Sequence, residues 1–259
     1  MLAAERQAKI VQEIQRRGAV KVADLVGLFG VSDMTIRRDL DVLAQQGLVD
    51  KVYGGATGRA HSTHEPGFEA KSARQRAEKE AIAALAAEDV TPGSAIGISA
   101  GTTTWTLARR LRQVPDLTIV TNSIRIADLL HSTGGPEQSV VLTGGVRTPS
   151  DALVGPIAVA ALRTLHLDAV FLGVHGMDSD AGFTTPNLLE AETDRALITA
   201  SRRLVVLADH TKWGVVGIST IAQLSDADLI VTDDRLPQEA RKVLEDHGST
   251  VRIASVRDD

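Results

Sequence analysis

The sequence predicts an α/β protein in two parts, an N-terminal winged helix-turn-helix domain and a C-terminal, mostly parallel α/β domain. Two patterns predict it. Over the first sixty residues, short helical stretches are punctuated by Gly18, Gly30 and Gly47, then followed by an alternating segment that reaches Gly54-Gly55. Beyond Val90, short apolar runs alternate with helical stretches, as parallel strands joined by crossover helices do. A chain of 259 residues with 43% hydrophobic content can bury one small and one larger core.

The elements follow in order. Ile10, Val11 and Ile14 give Glu5 to Arg16 a helical stripe, and Gly18 ends it. Ala19 to Val22 reads as extended. Ala23, Leu25, Val26 and Phe29 supply a second short helix, stopped by Gly30. Ser32 stands as N-cap of a third helix running to Gln46. Helix, short glycine-containing turn and capped helix make the spacing of a helix-turn-helix. On the third helix Ile36, Leu40 and Leu43 share one side, leaving Thr35, Arg37 and Arg38 on the flanks and the opposite side. Arginine bonds guanine O6 and N7 bidentately, and threonine reaches a base edge or a thymine methyl. Leu48 to Ala56 alternates and carries paired glycines, a β-hairpin wing with Lys51 and Tyr53 facing phosphate or the minor groove. The competing reading is a three-helix packing module with solvated arginines.

Charge is unevenly shared. Net charge is -5, yet residues 1–60 carry +2 and the remainder -7, which suits a protein presenting one end to DNA. There is no cysteine, so disulfides and thiolate metal sites are excluded. The N-terminus lacks a basic and then apolar leader, and no stretch approaches the roughly 20 apolar residues of a membrane span. The chain reads as soluble, cytoplasmic and without a membrane partner. Residues 58–67 are polar and read as a linker between domains at 1–57 and 68–259. His61 and His64 lie in it three apart, but no Cys, Asp or third His completes a metal set. No cofactor is expected.

One long charged helix is expected from Phe68 to Glu88, with Ala81, Ile82 and Leu85 as its apolar stripe. Strands are expected at Ala95 to Ile98, Leu117 to Thr121, Val140 to Leu142, Ala169 to Leu172, Leu204 to Ala208, Leu229 to Val231 and Val251 to Ile253. Helices are expected at Thr104 to Leu111, Ile124 to His131, Pro156 to Leu165, Leu189 to Ala200 and Pro237 to His247. Ligands in such folds bind beyond the carboxyl ends of the strands. There Ser99-Ala100-Gly101-Thr102-Thr103-Thr104 joins a strand to a helix, where helix-start amides and hydroxyls attract an anion. No Gly-Lys-Thr/Ser ending makes it a Walker A loop. Other strand-end groups are Asn122-Ser123, Gly144-Gly145, Gly173 to Asp178 with His175, and Ala208 to Lys212. Gly182 to Asn187 follows the third of these and leads to Glu190 and Glu192.

The run Val31-Ser32-Asp33-Met34-Thr35-Ile36-Arg37-Arg38-Asp39-Leu40, continued by Gly47-Leu48 and Tyr53-Gly54-Gly55-Ala56, resembles the DNA-binding signature of the DeoR family. The C-terminal loops resemble the same family's effector domain, itself similar to ribose-5-phosphate isomerase. The resemblance covers essentially the whole chain. It implies a transcriptional regulator, usually a repressor, of carbohydrate catabolism, with activation as the alternative sign. It places Ser32, Thr35, Arg37 and Arg38 in the major groove of a double-stranded DNA operator. Asp39 is expected to steady a neighbouring basic side chain.

In the effector domain the resemblance implies a phosphorylated sugar, its phosphate held by Gly101, Thr102 and Thr103. Lys212, Glu190 or Glu192, Asn122 and the Gly173–Asp178 loop would surround the sugar, with Lys79 a secondary candidate for the phosphate. Two positions depart from the family pattern. Ser99 stands where an acid is common, and His175 replaces an acidic or small polar residue. For His175, ligand contact and satisfaction by backbone groups remain open. The alternative of a sugar-phosphate isomerase would use Lys212 and the nearby glutamates for proton transfer. The altered Gly-Val-His-Gly loop and the attached DNA-reading module speak against an enzyme. A single winged helix reads little sequence, so a homodimer or homotetramer on repeated half-sites is expected.

Overall fold

The computed structural model describes residues 2–17, 19–46, 48–52, 54–58, 67–133, 135 and 137–257. The expected positions Gly18, Gly47, Tyr53, His61 and His64 lie outside them. Cα packing divides the chain into Met1–His61 and Ser62–Asp259.

The first unit contains α1 (Ala3–Arg17), β1 (Ala19–Lys21), α2 (Val22–Phe29), α3 (Asp33–Gln45), β2 (Val49–Val52) and β3 (Gly55–Gly58). Gly30 ends α2 in the left-handed region at φ 63°, its N–H returning to the Val26 carbonyl. Ser32 opens α3 as its N-cap, accepting the Thr35 N–H. Ile10, Ile14, Leu25, Ile36, Leu40, Leu43 and Val49 form the core, so the helical stripes meet as their spacing requires. β3 lies between β1 and β2 in an antiparallel sheet, and β2–β3 is the expected wing.

The second unit opens differently from expectation. The single helix from Phe68 to Glu88 is two, α4 (Phe68–Ser72) and α5 (Arg76–Ala87), parted at Gln75 with φ 47° and ψ 48°. Lys79 supplies the reason. Its buried ammonium needs acceptors, and the turn releases the carbonyls of Lys71 at 2.5 Å and Arg74 at 2.6 Å to it.

Next come β4 (Ala95–Ile98), α6 (Thr102–Leu111), β5 (Thr118–Thr121), α7 (Ile124–Thr133) and β6 (Ser139–Leu142), then the short pair β7 (Val146–Arg147) and β8 (Leu153–Val154). They are followed by α8 (Pro156–Leu162), β9 (Ala169–Gly173), β10 (Gly176–Asp178), β11 (Gly182–Thr185), α9 (Leu188–Thr199) and β12 (Leu204–Leu207). β13 (Ser219–Ala222), β14 (Leu229–Asp233), α10 (Gln238–Asp246) and β15 (Thr250–Ala254) complete the unit.

Seven strands form one parallel sheet in the order β15-β14-β12-β9-β4-β5-β6. Each corresponds to an apolar run in the sequence; the inner strands are covered on both faces, whereas Val141 and Leu142 of the edge strand β6 are exposed. Phe171, Val205 and Leu207 join Ile82, Leu107 and Ile126 from α5, α6 and α7 on one face. Val170, Leu172 and Val206 join Leu162, Leu197 and Leu244 from α8, α9 and α10 on the other. Each such Leu or Ile contributes about 1.5–3 kcal/mol by leaving water. A second, antiparallel sheet of β10, β11 and β13 has no counterpart among the expected strands. Its strands are short and rich in Gly and Thr, so they carry no long alternation.

The strand order matters for function. From β4 the chain moves outward through β5 and β6, then returns to the other side of β4 as β9. The crevice at a topological switch point therefore opens between the carboxyl ends of β4 and β9.

Candidate functional site

The first unit presents α3. Burial of Ile36, Leu40 and Leu43 fixes its inner face, leaving Ser32, Arg37 and Arg38 exposed and Thr35 half-buried. The Ser32 and Thr35 hydroxyls lie 2.9 Å apart, so the cap and a candidate base-reading group form one cluster. Arg37 is ion-paired with Asp33 one turn earlier, at an exposed position where such pairs exchange readily. Among the described residues no ion pair engages Arg38. Met34, 78% exposed on the same turn, was passed over in sequence; its apolar side chain suits a thymine methyl. Asp39 faces inward, accepting Arg6 Nε at 2.6 Å and Gln7 Nε2 at 2.9 Å, and so fastens α1 to α3. On the wing, Lys51 pairs with Asp41 and both are exposed.

In the second unit the crevice is built from several strand ends. Ser99, buried after β4, accepts the Gly173 N–H at 3.0 Å. Gly101 follows, and a Cβ there would stand 2.9 Å from Thr104 Oγ1 and 3.9 Å from Gly173 Cα. A Cβ would thus crowd the Thr104 hydroxyl, while the approach to Gly173 would stay an ordinary contact. Gly101 caps α6, its carbonyl taking the Trp105 N–H and the Thr104 hydroxyl. The N–H groups of Thr102, Thr103 and Thr104 lie in the first turn, where no intrahelical carbonyl reaches them. Asn122, buried after β5, orients the loop by accepting the Ala100 N–H at 2.8 Å.

Glu190 sits in the first turn of α9, which Asn187 caps. Its carboxylate accepts three hydroxyls, Ser150 at 2.6 Å, Thr148 at 3.2 Å and Thr185 at 3.1 Å. Glu192, two residues on, is exposed, so the structure separates the pair. Thr148 and Ser150 gave no signal in the sequence, lying in the β7–β8 connection some forty residues from Glu190. His175 is half-buried, and its N–H donates to the Thr184 carbonyl at 3.1 Å.

Lys212 ends a single 3₁₀ turn, His210–Lys212, after β12. Burial pushes its ammonium pKa down; Asp209 opposes this, while Lys71 and Arg74 add to it. Burial likewise pushes Lys79 down to about 8, with Asp209 opposing and Lys212 and Arg74 reinforcing. The α4–α5 turn and the Asp209–Lys212 turn thus gather cations at one place. Beside it, buried Asp233 holds His210 through Nδ1 at 2.8 Å and through the backbone N–H at 2.7 Å. Among the described residues no group of His, Asp and Glu has the spacing of a metal site.

Residues 6–61 match the DeoR-like helix-turn-helix domain, and residues 74–234 match the DeoR C-terminal sensor domain. The chain belongs to the DeoR family of transcriptional regulators. Among DeoR-family relatives, the uncharacterized HTH-type transcriptional regulator YgbI of Escherichia coli K12 is 39% identical over 94% of this chain and 95% of its own. The glycerol-3-phosphate regulon repressor of the same strain is 34% identical over 94% and 96%. Ribose 5-phosphate isomerase A of Neisseria gonorrhoeae is 18% identical with a TM-score of 0.39, covering 54% of either chain. That likeness is too low to bear on activity. In this DeoR-family chain the helix-turn-helix is the DNA-binding part, and no helix among the described residues is long and apolar enough to cross a membrane.

Proposed function

We propose that this DeoR-family regulator is a cytoplasmic repressor of carbohydrate-catabolism genes, released from its operator by a phosphorylated sugar or related metabolite. The observation that carries the reading is that one chain holds both the capped α3 and, at strand ends of its parallel sheet, the helix-start amides of α6 and the lysines gathered at the Asp209–Lys212 turn. α3 would lie in the major groove, with Ser32, Thr35, Arg37 and Arg38 at base edges and Lys51 on backbone phosphate. Tyr53 would join Lys51 on the wing. The ligand phosphate would rest on Gly101, Thr102 and Thr103, within the field of Lys79 and Lys212. Ser99, Asn122, His175 and Glu190 would shape the sugar subsite, Glu190 being the acid favoured over Glu192 by its inward position.

Regulation is a linkage. A ligand that prefers one arrangement of the protein lowers operator affinity by the coupling energy, about 1–3 kcal/mol, or about 5- to 150-fold. The chain would act without catalysis. Glu190, its nearest candidate base, already accepts three hydroxyls, which disfavours taking a proton. A homodimer or homotetramer would read repeated half-sites.

A thermal-shift screen against phosphorylated sugars and their unphosphorylated counterparts tests the crevice assignment, since native-state binding raises Tm. A rise with one sugar phosphate and none with its free sugar is expected. No rise with any phosphate ester would remove the assignment.

A further inference from the structure

The segment between β6 and α8 is held more elaborately than a connection requires. Asp151 is buried and left-handed at φ 63°, a conformation uncommon for a residue with a side chain. Its carboxylate accepts Arg147 Nε at 2.7 Å through one oxygen and Arg125 Nε at 2.7 Å through the other. Its backbone is engaged as well, its N–H going to the Thr148 carbonyl and its carbonyl accepting the Ile124 N–H. Arg125 then reaches α4 twice, with an ion pair to Glu69 at 2.9 Å and its guanidinium 4.9 Å from the centre of the Phe68 ring. Gly67, the N-cap of α4, leans on the same segment, since a Cβ there would lie 3.5 Å from the Pro149 carbonyl. At the other end Thr148 and Ser150 donate to Glu190.

Thr148, Pro149, Ser150 and Asp151 are consecutive, so one short stretch touches both Glu190 and α4. α4 is the first helix after residues 59–66, through which the chain passes from one unit to the other. We propose that this stretch is a relay: Glu190 holds it through Ser150 and Thr148, and Asp151 with Arg125 passes its position to Glu69 and Phe68 of α4. A polyol hydroxyl bonding to Glu190 does so in competition with Ser150, loosening the stretch and with it α4. The trigger rests on the crevice reading above, whereas the mechanical link does not.

The link is testable without any ligand, so its failure is distinct from failure of the crevice assignment. Hydrogen–deuterium exchange is followed on the full chain at the α4 amides of Lys71 and Ala73, bonded to the carbonyls of Gly67 and Glu69. Glu190→Gln keeps the side chain's shape and Ser150→Ala removes one donor. Ser249→Ala, which removes a buried hydroxyl bonded to Leu224 elsewhere in the unit, is the control for general loosening. Asp151→Asn and Arg125→Gln report on the α4 end alone. Faster exchange at α4 in Glu190→Gln and Ser150→Ala, on the order of fivefold for one hydrogen bond, with the Ser249→Ala variant unchanged there, is expected. Wild-type exchange in both Glu190→Gln and Ser150→Ala, even if Asp151→Asn and Arg125→Gln speed it, overturns the relay. An equal acceleration in Ser249→Ala overturns it too.

Discussion

Ser99 Oγ accepts the Gly173 N–H at 3.0 Å, a bond between residues at the carboxyl ends of β4 and β9 that closes the floor of the switch-point crevice. Ser99 is 1% exposed, so water does not replace the hydroxyl when it is removed. Ser99→Ala leaves the Gly173 N–H without its acceptor and is expected to destabilise the second unit by about 1–3 kcal/mol. Denaturant unfolding followed at a probe in that unit measures this. A loss well under ~0.5 kcal/mol would mean the amide finds another acceptor.

Asp39 and Asp33 lie six residues apart on α3 and have opposite roles. Asp39 is buried against Arg6 and Gln7, while Asp33 is exposed beside Arg37. Asp39→Ala is expected to accelerate amide exchange in α1, and Asp33→Ala to leave it near wild type. Equal effects of the two substitutions would contradict the assignment of Asp39 as the fastener of α1.

On the proposed reading, DNA and ligand functions divide by residue. Arg37→Ala or Arg38→Ala is expected to weaken operator binding, by about 1–3 kcal/mol for a lost bidentate base contact. The ligand-induced rise in Tm should persist in both. Thr102→Val and Lys212→Gln should reverse the pattern. Parallel titrations of operator DNA and ligand check it, and equal loss of both functions in folded variants would defeat the division.

Anion binding should depend on pH with a definite sign. Burial holds Lys79 at about 8 and pushes Lys212 down from its ordinary 10.5. The anion prefers the charged ammonium, so affinity for a phosphate ester is retained below this range and lost as pH rises through it. Between about pH 7 and pH 9 one such group weakens binding by at most about tenfold. Calorimetric titrations at the two pH values measure it, and Lys79→Met should flatten the profile. Unchanged wild-type affinity at the higher pH would contradict a contribution from the Lys79 ammonium.

The parallel sheet was legible because burial on both faces makes its strands continuous apolar runs, as in Ala169 to Leu172 and Leu204 to Ala208. The capped α3 was legible for a local reason too, Ser32 standing just ahead of the Ile36, Leu40 and Leu43 stripe. What stayed hidden is set by contacts distant in sequence. The break between α4 and α5 answers the acceptors required by buried Lys79, which charge pattern alone does not reveal. The hydroxyl cage of Glu190 draws on Thr148 and Ser150 from a connection with no periodicity, and the arginine pair of Asp151 is assembled there as well. Sequence narrowed the acid to Glu190 or Glu192, and the helix orientation decides which one turns inward.

The central claim is that a phosphorylated ligand in the second unit lowers the affinity of the first unit for DNA. Fluorescence anisotropy of a labelled operator fragment, selected from random-sequence DNA by its binding to the protein and titrated at fixed salt with and without the phosphate ester found by thermal shift, tests it most directly. Release by the ligand requires a loss of operator affinity within about 5- to 150-fold, absent with the unphosphorylated sugar. An ester that raises Tm yet leaves the DNA titration unchanged, or tightens it, would contradict release by the ligand.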